Sequence, residues 1–138
     1  MFDTNTEFGR RVSVRLEEEQ IIWLTTISKR GVPSPRPVWF LWDGDSFLIY
    51  SRPNTYKLDH IRDNQQVALN FDGDGAGGDI IIFSGSAYID EEAPSADQVT
   101  AYIEKYRDGL ESLNMSPAQF GESYSVSVRI KPTGLRGH

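Results

Sequence analysis

The chain has 138 residues, of which 38% are hydrophobic and 25% charged, a composition that suits one globular domain spanning 1–138. It contains no cysteine, which excludes disulfides, zinc–thiolate centres, iron–sulfur clusters and cysteine nucleophiles. A net charge of −6 argues against non-specific binding to nucleic acid or an anionic membrane, and no apolar run reaches the roughly 20 residues that cross a bilayer.

Met1–Asn5 lacks the basic-then-apolar pattern of a signal peptide, so a cytoplasmic location is expected. Arg10 to Gln20 reads as a helix with Val12 and Leu16 inward and Glu17, Glu18 and Glu19 outward. Gln20 to Ser28 is rich in β-branched and aromatic residues and reads as a strand, closed by the turn Lys29-Arg30-Gly31. Pro35 to Trp42 reads as a second strand whose prolines suit a sheet edge. Asp43-Gly44-Asp45 is a hairpin turn into a third strand, Phe47 to Tyr50. Asn54 to Asp63 follows as a short helix capped by Asn54 or Thr55.

Strands are expected at Gln66–Phe71 and Ile80–Ile89, joined by the Gly-rich loop 72–79. Pro94 to about Leu113 reads as one helix, with Val99, Tyr102, Ile103, Tyr106 and Leu110 as its inner stripe. Tyr124, Val126, Val128 and Ile130 alternate with polar residues in a sixth strand. Six short strands with hairpin signals and peripheral helices point to a closed or nearly closed antiparallel β-barrel.

Between Lys29 and Arg62 the bases Lys29, Arg30, Arg36, Arg52, Lys57 and Arg62 face only Asp43, Asp45 and Asp59. This basic window on an acidic chain fits a small anionic ligand, or equally a chance cluster on a solvated surface. Lys57 falls in the first turn of a helix, where a cation opposes the helix dipole and an anion is favoured. A phosphate held by Lys57, Arg52 and the Ser51 and Thr55 hydroxyls would resolve that misfit; a solvated lysine tolerating a weak penalty would also account for it. Pairing of the second and third strands through the Asp43 turn would bring Arg36 beside Ser51 and Arg52.

The other signals are weaker. Gly73, Gly75 and Gly78 spell G-x-G-x-x-G but open no helix, and Asp72, Asp74 and Asp79 lack the spacing of a calcium loop. His60 reads as a surface residue and His138 as a frayed end. Trp39 is either core or the wall of a planar ligand site. No acid–base pair, nucleophilic triad or metal site stands out, so an enzymatic reading requires a cofactor that carries the chemistry.

Pro37-Val38-Trp39-Phe40, Trp42-Asp43-Gly44-Asp45, Tyr50-Ser51, Lys57, Ile61, Asn64 and Val67-Ala68-Leu69, in this order and spacing, resemble the pyridoxamine-phosphate-oxidase-like split-barrel superfamily. Within it, the pattern is most similar to the branch using the deazaflavin coenzyme F420. The likeness runs from Arg15 to Pro132. It implies a homodimer of six-stranded antiparallel split barrels of the FMN-binding-protein type, with the cofactor in a groove at the dimer interface.

FMN-binding members carry a strand R-x-V-L-L-K; Arg36, Val38, Trp39 and Phe40 match it, and Leu41 stands at its lysine. They also carry T-N-Y-x-S-R-K; Ser51, Thr55 and Lys57 fall at its Thr, Ser and final Lys, and Tyr56 stands at its arginine. The implied cofactor-binding set is Arg36, Pro37, Val38, Trp39, Tyr50, Ser51, Arg52, Thr55 and Lys57, with F420 as cofactor and FMN as the alternative. The implied activity is hydride transfer between the deazaflavin and a small conjugated acceptor such as a quinone or tetrapyrrole. An FMN-dependent oxidoreductase and a non-catalytic F420-binding or storage protein are the alternatives. The resemblance supplies no catalytic side chain.

Overall fold

The computed structural model describes residues 2–138. One antiparallel sheet contains β1 (Ile22–Ile27), β2 (Pro33–Val38), β3 (Leu41–Trp42), β4 (Phe47–Ser51), β5 (Gln66–Asn70), β6 (Ile81–Ile89) and β7 (Val126–Gly137), in the order β2-β1-β5-β6-β7-β4-β3. The helices are α1 (Glu7–Glu18), α2 (Tyr56–Asp63), α3 (Thr100–Lys105), α4 (Arg107–Ser112) and α5 (Pro117–Ser123), with a 3₁₀ turn at Ala96–Gln98.

Connectivity forces this sheet to curl. β2 and β3 are its two opposite edges, yet only Trp39 and Phe40 separate them. A flat seven-stranded sheet would be about 29 Å wide. The three peptide links from Val38 to Leu41 reach at most about 11 Å. The edges therefore meet at one corner, and the sheet is a barrel split between β2 and β3.

The expected second strand is thus two strands, which raises the count from six to seven. The break has a physical cause. The Phe40 N–H donates to the Tyr106 hydroxyl at 2.7 Å, and the Phe40 carbonyl accepts from Lys105 Nζ at 2.8 Å. Groups on α3 and its C-terminal end thereby take both backbone valences of Phe40 out of the ladder. Pro33, Pro35 and Pro37 alternate along β2 opposite Ile27, Thr25 and Trp23. Because β2 is an edge strand, the prolines turn their missing donors outward, and Ser34, Arg36 and Val38 supply the ladder. The free edge then offers no N–H to a further strand.

β7 runs well past the expected end at Ile130. Ser84 pairs with Gly134 and Gly85 with Pro132, leaving Thr133 as the extra residue of a β-bulge that accommodates a proline in an inner strand. The single helix expected from Pro94 is broken into the 3₁₀ turn, α3 and α4. The second break falls at Tyr106, whose φ of −108° and ψ of 20° leave the helical region.

Two apolar clusters flank β4, which is buried on both faces. Phe47 and Ile49 point into the barrel with Leu24, Phe40, Leu69, Phe83 and Ile130. Leu48 and Tyr50 point outward against Tyr102, Tyr106, Leu110 and Phe120 of α3–α5. Among the described residues no helix is long and apolar enough to cross a membrane.

Candidate functional site

The corner where the barrel splits carries a groove in two adjoining parts. Its aromatic half, about 290 Å³, lies between the β2–β3 corner and α3–α5; Trp39, Tyr50, Tyr102, Leu113, Phe120 and Tyr124 line it. Its polar half, about 510 Å³, lies between β1–β2 and the start of α2, where Thr26, Ser34, Arg36, Thr55 and His60 line it. Pro37, Val38 and Lys57 border both halves, so Lys57 stands at the junction.

Lys57 is half-buried. Burial lowers its pKa from the ordinary 10.5, and the nearby Arg36 guanidinium lowers it further. Neither cation joins an ion pair among the described residues. Among the described residues, the only side-chain hydrogen bond of Arg36 is a long one, 3.4 Å, to the Pro35 carbonyl. Two cations without a carboxylate partner, one of them in the first turn of α2, are able to hold an anion. Thr55 caps α2 without using its side chain on the helix N–H groups; its hydroxyl lies 3.2 Å from Ser51 Oγ.

Arg36 therefore does lie near Lys57, but by a different route from the expected hairpin. β2 pairs with β1, with Arg36 opposite Leu24, while only Leu41 and Trp42 of the expected strand pair with β4. Curling of the barrel, which local pairing cannot reveal, brings Arg36 to α2. Arg52 departs from expectation. Its guanidinium sits 4.8 Å over the Tyr124 ring, at the outer end of the aromatic wall, and does not line the polar half. Ser51 is buried, and its hydroxyl donates to the Arg52 carbonyl at 2.9 Å, so it shapes the turn behind Thr55 without lining the groove. Pro37, Val38, Trp39, Tyr50, Thr55 and Lys57 all line it.

The aromatic wall is a column of near-parallel rings. Trp39 stacks on Tyr106 at 4.4 Å and 4° and on Phe120 at 5.5 Å and 17°; Phe120 stacks on Tyr124 at 4.3 Å and 14°. Each such pair contributes roughly 0.5–1.5 kcal/mol beyond burial. The Trp39 indole lies so close to α4 that a Cβ on Gly109 would stand 2.9 Å from its Cη2 and Cζ2 atoms. Gly109→Ala should therefore push Trp39 off its stack and deform the aromatic half. Red-shifted, weakened tryptophan fluorescence in a folded variant is the expected result; an unchanged spectrum would contradict the tight fit.

Tyr102, Phe120, Tyr124 and His60 were not anticipated as groove residues. Tyr102 was legible only as an apolar-stripe position, because periodicity gives the buried face of a helix and not what that face meets. His60 is half-buried, with Nδ1 2.8 Å from the Thr26 hydroxyl, and borders the polar half. Loop 72–79 is not part of the site. Asp79 is held by Arg11 at 2.7 Å and by Arg15 at 2.5 Å, and Asp74 accepts the Ala76 and Gly78 N–H groups. Among the described residues no cluster of His, Asp or Glu could hold a metal.

A family model described as pyridoxamine 5'-phosphate oxidase matches residues 10–138. The chain belongs to this family. Solved structures similar to it include a Listeria innocua protein provisionally assigned as a pyridoxamine 5'-phosphate oxidase, with 21% identity, TM-score 0.67, and 92% of this chain and 94% of that one covered. An F420 reductase is similar with 18% identity and TM-score 0.65, over 90% of this chain and 94% of that one. HutZ, a heme storage protein of Vibrio cholerae, shares 12% identity with TM-score 0.66, over 96% and 95%. At these identities the likeness is one of fold, which the three proteins share while their described roles differ. No curated protein matches the chain.

Proposed function

We infer that the chain is an F420-dependent oxidoreductase that transfers a hydride between the deazaflavin and a small conjugated acceptor. The observation that carries this reading is the bipartite groove: a ring-lined half joined at Lys57 to a half with two unpaired cations. A planar ring with a phosphate on its side chain has the same division. The shared fold of an F420 reductase is compatible with the reading.

The deazaflavin supplies the hydride chemistry; the residues described here bind and position it. Lys57 and Arg36 neutralise the phosphate, with the first turn of α2 and the Thr55 hydroxyl as further donors. Trp39, Phe120 and Tyr124 would form the apolar wall beside the ring and exclude water from it. Pro37, Val38 and Trp39 border the groove, and the Pro37 carbonyl, turned away from the β1 ladder, would be available to the ring edge. Among the described residues no carboxylate lines the groove, and catalysis would rest on orientation and desolvation.

F420 is preferred to FMN for two reasons. Tyr56 and Leu41 stand where the FMN-binding pattern has basic residues; Tyr56 is 80% exposed, and Leu41 packs against the outer aromatic cluster. The polar half, about 510 Å³, is also far larger than a phosphate needs, given that a water occupies roughly 30 Å³, and leaves room for a longer polar tail. A host lacking F420 should yield colourless protein, whereas yellow protein carrying FMN would favour the FMN-dependent alternative. Oxidation of reduced F420 by menadione, followed at the deazaflavin absorbance, tests turnover. Binding without turnover across quinones and tetrapyrroles would favour storage.

The same reading includes a homodimer whose second copy covers the groove, in a cytoplasmic protein. Val32 (57% exposed) and Tyr56 border the polar half and Leu113 (49% exposed) the aromatic half, so large apolar side chains rim the opening. Sedimentation equilibrium should give twice the 15.6 kDa chain mass. A monomer at micromolar concentration would contradict this part.

A further inference from the structure

Tyr102, in the wall of the aromatic half, carries a buried polar atom that has no partner among the described residues. Tyr102 is fully buried, its side chain forms part of the cavity wall, and its hydroxyl makes no hydrogen bond among the described residues. Two neighbouring phenols are satisfied. The Tyr50 hydroxyl donates to the Pro94 carbonyl at 2.8 Å, and the Tyr106 hydroxyl is engaged by Phe40 and Gln20. Tyr102 is held rigidly between them, edge-on to Tyr50 at 5.0 Å and 82° and tilted against Tyr106 at 4.9 Å. A buried hydroxyl with no partner is costly, and native proteins keep few of them without a function. Phenylalanine would fill the same volume at no such cost.

We propose that the Tyr102 hydroxyl donates a hydrogen bond to a carbonyl on the edge of the cofactor ring seated in the aromatic half. This rests on the reading of the groove as a site for a planar, phosphate-bearing cofactor. The ring of a flavin or deazaflavin carries a dione, whose oxygens accept hydrogen bonds and which an all-carbon wall would bind poorly. Burial raises the Tyr102 pKa above the ordinary phenol value, so the group stays protonated and acts only as a donor to such an oxygen. The contact fixes the ring's rotation in its plane, which the parallel stack of Trp39, Phe120 and Tyr124 does not. Tyr102 is in this sense a binding and positioning residue; no proton transfer is assigned to it.

The test compares Tyr102→Phe with Tyr50→Phe, using F420 and inorganic phosphate as probes. Without ligand, Tyr102→Phe should melt higher than wild type by roughly 2–5 °C, because it removes an unsatisfied group. Tyr50→Phe should melt lower, because it strands the Pro94 carbonyl. The affinity of Tyr102→Phe for F420 should fall by about tenfold, the loss of one hydrogen bond, with phosphate affinity unchanged. A wild-type protein that binds neither F420 nor FMN would overturn the reading of the groove and this proposal with it. If wild type binds F420, three results would overturn the proposal alone: equal F420 affinity in Tyr102→Phe, a lower melting temperature for that variant, or a raised KM for menadione with F420 affinity intact.

Discussion

Lys57→Ala should weaken F420 binding by roughly 10- to 150-fold, the worth of one charge-assisted hydrogen bond to a phosphate. The fold should survive. Lys57 has no partner to strand, and its charge is opposed both by burial and by Arg36, so the ligand-free variant should be at least as stable as wild type. Calorimetric titration and a melting curve check the two halves of the result together. Loss of both binding and stability would mean that Lys57 is a structural residue after all.

The pH dependence has a definite sign. The folded protein holds the Lys57 proton less tightly than the unfolded chain does, so charging this group costs stability. That cost is fully present below the depressed pKa and is relieved as pH rises from there to 10.5. A bound phosphate reverses the balance by favouring the ammonium. F420 affinity should therefore fall as pH climbs through the depressed Lys57 pKa, with proton uptake on binding. Lys57→Ala should lose that pH dependence.

Tyr106→Phe should be the most destabilising conservative change at the barrel corner. The Tyr106 hydroxyl accepts the Phe40 N–H at 2.7 Å and donates to the Gln20 carbonyl at 2.8 Å. Its single proton leaves the Phe40 carbonyl, also within 2.9 Å, to Lys105. Removing the oxygen strands a buried N–H and a carbonyl, a loss of about 2–4 kcal/mol, or roughly 10 °C in Tm. The ring also carries Trp39 on its face, so the groove should loosen and F420 affinity should fall as well. A variant that melts within 2 °C of wild type would show that the β2–β3 corner does not depend on this hydroxyl. Lys105 is buried enough on the Phe40 ring to have its pKa lowered to about 8, which makes it a second, weaker brace of the same corner.

The sequence and the structure agree where information is local. The turn at Asp43-Gly44-Asp45, the start of α2 after Thr55 and the strand from Val126 to Ile130 all follow from neighbouring residues, although Ser127, expected on a solvated face, is buried. Helix α5 is equally local in origin: Ser116 and Gln119 form a capping box with Pro117 in the first turn. The β2–β3 break was not legible, because it is made by Tyr106 and Lys105, more than sixty residues away. The site divides in the same way. Lys57 and the Pro37–Trp39 segment could be selected from their own motifs. Arg36 beside Lys57 requires the barrel to curl, and the Tyr102–Phe120–Tyr124 wall requires the helices to fold back onto β4. Arg52 looked like a phosphate ligand from sequence proximity alone; the Tyr124 ring, from the far end of the chain, holds it elsewhere.

The central claim is that the groove at Lys57 holds the phosphate of a planar redox cofactor. It is tested most directly by titrating ligand-free protein with F420 and with FMN side by side, each with and without excess inorganic phosphate. The account predicts saturable binding of F420, tighter than FMN, weakened by competing phosphate and accompanied by quenching of tryptophan fluorescence as the ring meets Trp39. Absence of binding by both cofactors, or binding indifferent to phosphate, would contradict it.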